Sequence, residues 1–159
     1  SSVIKGEILN LYKNKILNVH LGLSPYYKGS GTNYFTLVNN EPEYFGATFM
    51  FLDQTIDGGK IIHQIRPKIY YKDNIHQIGN RLIVEMFKVY KDLILNIKKI
   101  RINKKKLKVV SKIYKKKDFT LASLKKLNLN LTKSMIEVYL KNKKKRDSKV
   151  PLFKQSWIN

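Results

Sequence analysis

Apolar residues recur at three- and four-residue steps through Ile75, Ile78, Leu82, Met86, Tyr90, Leu93 and Ile97. That period predicts one long amphipathic helix, with Asp73 or Asn74 as its cap. Ile4, Ile8, Leu11 and Tyr12 share helical spacing and predict a first helix over Ser2–Asn14, with Ser2 as cap. Between these helices the pattern shortens. Lys15–His20 reads as a short buried strand, Asn33–Asn39 as a short helix and Phe45–Asp53 as a β-rich run. Lys60–Tyr71 is a further strand candidate, where Pro67 forces an edge or a bend. After Lys98 the texture changes. A strand-like segment over Leu107–Tyr114 precedes two short helical patterns, "TLASLKKL" and "LTKSMIEVYLKN", and a tail in which Trp157 can act as a docking anchor. The boundary predicted from this shift lies near residue 100.

Composition narrows the class. A length of 159 residues suits one domain or part of one, and 43% hydrophobic residues suffice for a core. The absence of Cys excludes disulfides and thiolate metal sites. No apolar run approaches the roughly 20 residues of a membrane-spanning helix, and no signal peptide is visible. A soluble cytoplasmic protein is the default expectation. The charge is lopsided: residues 71–159 hold +19 of the net +21. Such a half can form a surface for nucleic acid, anionic lipid or a phosphorylated substrate. Equally, Lys can simply fill solvated positions, the usual fate of charge runs. Few aromatics interleave the basic runs, which argues against single-strand stacking.

The run Asn18–Gly31, "NVHLGLSPYYKGSG", is unlike its Lys-rich surroundings. In a strand, Asn18 and His20 point to the same face. Pro25, Gly29 and Gly31 make the following segment a loop. Asp57, followed by two Gly, lies in a second turn. An amide, an imidazole and a carboxylate converging above adjacent strand ends can perform acyl transfer. The carboxylate or imidazole removes a proton from an attacking amine, and the imidazole or amide stabilises the developing oxyanion. The alternative for a lone His near a strand end is a hydrogen-bonded structural role. His63 reads as structural, and His20, His63 and Asp57 lack the compact spacing of a metal site, so no metal is expected. Ser24 and Ser30 lack a nucleophile-elbow setting. Tyr26 and Tyr27 either stack on a ligand ring or pack the loop.

"NVHLGLSPYYKG" resembles the formyltransferase signature Asn-x-His-x-Ser-Leu-Leu-Pro-x-(Tyr/Trp)-(Arg/Lys)-Gly, and "FGATFMFLDQTIDGGKIIHQ" is similar to that family's Gly-x-Thr…Asp-x-Gly-x-Ile-x-x-Gln block. The resemblance runs from residue 1 to about residue 100. It implies an α/β fold: the C-terminal part of a Rossmann-like formyltransferase domain, a central sheet with flanking helices, followed by a small basic helical extension over 101–159. It implies a catalytic set of Asn18, His20 and Asp57. Formyltetrahydrofolate is the implied co-substrate, its pterin held by main chain at Ser2–Ile4 and Asp53–Ile56, so Ser2, Ile4, Asp53 and Thr55 are the cofactor-binding candidates. Tyr26, Tyr27, Lys28 and Gly29 are the substrate-binding candidates. The family's Ser-Leu-Leu-Pro is Gly22-Leu23-Ser24-Pro25 here, so the loop that meets the acceptor differs. The family's opening βα units are not matched in this sequence, and a half that binds folate is expected to be absent from it. Parallel α/β sheets are covered on both faces, so an uncovered edge or face is expected, with self-association as its consequence.

The implied reaction is formyl transfer to a primary amine, most readily that of an amino sugar or sugar nucleotide. Residues 101–159 are short for the barrel-like C-terminal domain usual in methionyl-tRNA formyltransferases, and long for glycinamide ribonucleotide enzymes. The rival from another class is a basic RNA- or anionic-lipid-binding module with a degenerate formyltransferase motif.

Overall fold

The computed structural model describes residues 4, 6–12, 15–55, 57–103 and 109–158. Helix α1 (Glu7–Leu11) leads to β1 (Leu17–His20) and β2 (Tyr27–Gly29), then α2 (Thr32–Val38), β3 (Ala47–Phe51) and β4 (Lys60–Ile65). The long helix α3 (Ile75–Leu95) is followed by β5 (Lys112–Tyr114) and three C-terminal helices, α4 (Leu121–Thr132), α5 (Met135–Lys141) and α6 (Lys143–Ser148). The main sheet has the order β1-β3-β4, and both pairings are antiparallel. A parallel sheet is thus not what forms among the described residues. Among the described residues the one parallel pair is β2 with β5, a separate two-stranded ribbon.

β3 is buried at all five positions and carries Phe49 and Met50 at the centre of the core. α3 starts where the Asn74 side chain accepts from the backbone N–H of His76 and Gln77 while the Gln77 side chain accepts from the Asn74 N–H, a capping box that satisfies orphan donors at both ends of the turn. The expected stripe is mostly right. Ile78, Leu82 and Leu93 are buried with Val89, and Ile75, Met86 and Tyr90 pack at the margin. Each fully buried aliphatic side chain on that stripe is worth roughly 1.5–3 kcal/mol. Ile97 lies beyond the helix and is exposed. A second apolar line, Ile83, Val84 and Phe87, also faces solvent, and β1 forms an edge of the described sheet.

The first helix departs from its prediction. It spans only Glu7–Leu11, and Leu9 is its buried residue. Ile4, Ile8, Leu11 and Tyr12, the expected inward face, are exposed. Gly6 enters it at φ 70°, so the helical period does not extend back to Ile4. Ser2 lies outside the described residues.

The basic C-terminal segment packs into the same core. Leu127, Met135, Ile136, Tyr139 and Ile158 are buried in one cluster with Phe49, Ile62 and Leu82. Polar contacts reinforce the join. Arg66 pairs with Asp147 at 3.3 Å and Arg146 with Glu43 at 2.6 Å, while Asn130 donates to the carbonyls of Leu37 and Val38, each at 2.9 Å. The free edge of β4 is covered by residues 153–155: Gln64 N–H donates to the Phe153 carbonyl at 2.8 Å, and Gln155 N–H donates to His63 Nδ1 at 3.0 Å. Trp157 packs half-buried against the core, as an anchor should.

His63 therefore holds its Nδ1 lone pair toward a backbone donor. Burial, and secondarily Lys154, lower its pKa to about 4. A folded pKa below the unfolded value means the unfolded chain binds more protons, so stability falls as pH drops through about 6.5 toward 4. Between pH 7 and 5 the fold is expected to lose about 2 kcal/mol on this account, read from urea midpoints in the parent and in His63→Gln. Equal pH dependence in the two would remove His63 as the cause.

Candidate active site

The polar run after β1 is folded back on itself by short-range geometry. β1 alternation puts Asn18 and His20 on one face, as expected, and both line a cavity of about 450 Å³. That is a size suited to a small-molecule site. Asp57 reaches the same cavity from the β3–β4 turn, and Gly29 reaches it from β2. Ile75, Leu82 and Ile83 supply an apolar wall.

The three polar groups are held differently. His20 is buried, and its Nε2–H donates to the Tyr27 carbonyl at 3.0 Å. Its Nδ1 lies 3.4 Å from Asp57 Oδ1. Since Nε2 carries the proton on the carbonyl side, Nδ1 and the carboxylate are two acceptors unless a further proton lies between them. Burial lowers the His20 pKa; Asp57 and the Tyr27 carbonyl oppose this, and Lys28 adds to it. Asp57 sits at φ 46°, a left-handed conformation uncommon outside Gly. Its Oδ2 accepts from the Gly29 N–H at 2.6 Å and its carbonyl accepts from Ser24 Oγ at 2.9 Å. Asn18 presents its amide to the cavity without a hydrogen-bond partner among the described residues.

Other expected site residues lie elsewhere. Tyr27 is 1% exposed. Its hydroxyl donates to Glu41 and accepts from Asn39 at 2.9 Å, and its ring lies parallel to Tyr114 at 5.8 Å. A ring so enclosed cannot stack on a ligand, so its packing role is the correct one. Tyr26 packs edge-on against Tyr44 at 5.1 Å, outside the cavity lining. Lys28 is half-buried near the Asp57 turn and acts on His20 through its charge. Ile4 is exposed. Asp53 accepts from the N–H and hydroxyl of its own neighbour Thr55, at 2.8 and 2.5 Å. Neither lines the cavity, and their side chains are spent on their own turn.

Two buried residues matter that the residue-by-residue reading left without a role. Thr48 Oγ1 donates to the Gly22 carbonyl at 2.7 Å and accepts from Ser24 N–H at 2.9 Å. Gln64 Nε2 donates to the Ser24 carbonyl at 2.7 Å. Together they fasten the loop after β1 onto β3 and β4. Their presence in the second motif block was the available signal.

Gly79, in the second turn of α3, lines the cavity and has open space where a Cβ would stand. A mid-helix Gly costs about 1 kcal/mol against Ala. Gly79→Ala is expected to raise stability by about that amount in urea unfolding. Gly79→Leu is expected to obstruct the cavity and raise KM; an unaltered KM would place the ligand elsewhere.

The sequence model of the formyl transferase family matches residues 1–94. The chain belongs to the formyl transferase family. A methionyl-tRNA formyltransferase of Finegoldia magna is 30% identical over 82 residues, 52% of this chain and 26% of that protein. The phosphoribosylglycinamide formyltransferase of Haemophilus influenzae is 30% identical over 88 residues, 55% of this chain and 41% of that protein. The chain thus spans about a quarter to two fifths of the length of these curated relatives. Among solved structures, the formyltransferase PseJ of Anoxybacillus kamchatkensis, in complex with UDP-4,6-dideoxy-4-formamido-L-AltNAc and tetrahydrofolate, is similar with a TM-score of 0.62 and 27% identity over 74% of this chain and 61% of that one. Coverage of 74% exceeds what residues 1–94 can supply, so the likeness continues into the C-terminal segment. The mixed α/β architecture is that of formyltransferase folds. Among the described residues no helix is long and apolar enough to cross a membrane, and no cluster suited to a metal ion occurs.

Proposed function

We propose that the protein transfers a formyl group from formyltetrahydrofolate to a primary amine on a sugar, most readily a nucleotide-linked one. The observation that carries this reading is the convergence of Asn18, His20 and Asp57 on one cavity with an apolar wall. Asp57 removes the proton that an attacking amine must lose. Its strained, doubly anchored turn holds the carboxylate at the cavity, and His20 beside it shares the proton load. Asn18 has a free amide to donate to the formyl oxygen as charge develops there. His20 Nε2 can add a second donor only by leaving the Tyr27 carbonyl. The co-substrate supplies the formyl carbon, and the walls of Ile75, Leu82 and Ile83 suit a flat, partly apolar ring. Residues 1–100 form the catalytic part in this reading and residues 101–159 the basic extension.

The choice of a sugar over tRNA is supported by the structural likeness to PseJ that reaches past residue 94. Methionyl-tRNA is the second reading, favoured by the Finegoldia relative and the basic C-terminal half. Formyl transfer measured against UDP- and dTDP-linked amino sugars, methionyl-tRNA and glycinamide ribonucleotide decides between them. Turnover with the sugar nucleotides, little affected by salt, is expected. Turnover with methionyl-tRNA alone, falling steeply as salt rises, would overturn the sugar assignment.

A further inference from the structure

The loop between β1 and β2 departs from the family pattern at two positions, and both departures touch the site. Where the pattern reads Ser-Leu-Leu-Pro, this chain has Gly22-Leu23-Ser24-Pro25. Ser24 Oγ donates to the Asp57 carbonyl at 2.9 Å, a bond Leu cannot make. Ser24 is 2% exposed. Its N–H and carbonyl are already engaged by Thr48 and Gln64, so the hydroxyl is what couples this rigid loop to the Asp57 turn. At Gly22, a Cβ would stand 2.5 Å from Thr32 Oγ1 and 2.6 Å from His20 Nε2. The Ser of the pattern therefore does not fit beside His20 as it stands here.

Asp57 needs such anchoring. A non-Gly residue at φ 46° persists only where its surroundings over-determine it. The Ser24 hydroxyl fixes its carbonyl and the Gly29 N–H fixes its carboxylate. We propose that Ser24 is a positioning residue for Asp57, and that Gly22 is its counterpart for His20, so that the two departures together set the separation of carboxylate and imidazole. The catalytic consequence rests on the reading of Asp57 as proton acceptor; the positioning itself does not.

The groups facing the His20 ring are the Asp57 carboxylate, the Tyr27 carbonyl and the Lys28 ammonium. Only Asp57 is tied to Ser24. In Ser24→Ala, the Asp57 backbone loses one of the two bonds that hold its turn, the carboxylate shifts with it, and the His20 ring loses part of its anionic support. The His20 imidazole, followed by NMR in the full chain, is expected to titrate at lower pH than in the parent. Formyl transfer is expected to fall about tenfold in kcat, the scale of one lost hydrogen bond, with acceptor KM within about twofold of the parent. Ser24→Thr retains the hydroxyl and is expected to recover both readouts. Gly22→Ala, which crowds Nε2 directly, is expected to shift the His20 titration as well, giving a second arm should the extra methyl at 24 prevent folding. A Ser24→Ala variant that titrates and turns over like the parent would overturn the proposal. A shifted His20 titration in a protein that formylates none of the acceptors would instead preserve the positioning and overturn the assigned reaction.

Discussion

Replacing Asp57 by Asn is expected to lower formyl transfer about a thousandfold while leaving the fold intact. The magnitude follows from general base catalysis, typically worth 10²–10⁴. An amine acceptor is protonated at neutral pH and cannot attack until a proton leaves. The substitution isolates charge from shape for a reason particular to this site. Asn is among the few residues that tolerate the left-handed region, so the φ of 46° survives. Its amide oxygen can still accept from the Gly29 N–H, and the backbone carbonyl still accepts from Ser24. What disappears is the negative charge 3.4 Å from His20 Nδ1. Single-turnover formyl transfer, with thermal unfolding alongside, separates the two effects. Near-normal turnover with every acceptor would make the mechanism wrong.

His20→Ala is the second large effect, with a fall of roughly 10²–10³ in kcat, within the range of lost acid–base catalysis. The loss has two sources. Asp57 loses the partner with which it shares a proton, and the Tyr27 carbonyl loses its donor. That carbonyl lies in β2, the strand whose Gly29 N–H holds the Asp57 carboxylate, so the carboxylate is loosened from both sides. Exogenous imidazole that restored rate without restoring the Tyr27 contact would show the proton-sharing role to be dominant. A loss under threefold would reduce His20 to a structural residue, the alternative its position in the sequence left open.

Much of this arrangement is legible in the chain because it depends on short periods. Strand alternation is enough to place Asn18 and His20 on one face, and the cap candidates Asp73 and Asn74 mark the start of α3 locally. The motif blocks single out Asp57, Thr48 and Gln64 before their contacts are known. The packing role of Tyr27 is not legible, for a different reason. Its burial comes from Tyr114 and Lys112, more than eighty residues away, and nothing local to "SPYYKG" announces a cover from that distance. The first helix failed similarly, since helical spacing says which residues share a face but not whether anything lies opposite. The change in composition at residue 100 reflects which residues meet water. It does not mark a gap in the packing, because Leu127 and Tyr139 enter the core of the first hundred residues.

The parallel pairing of β2 with β5 bears on how the protein comes to be made. Gly29, whose N–H grips the carboxylate, lies against Tyr114 so closely that no side chain fits between them. Its strand acquires a partner only once residues 112–114 exist. On a ribosome adding roughly 5–20 residues per second, the nascent chain would hold β1, β3 and β4 for several seconds before the ribbon could close. Closing so long a loop is entropically slow. The chemistry of the site would then be switched on after the first sheet has formed, as a later step of synthesis rather than a property of the first folded unit.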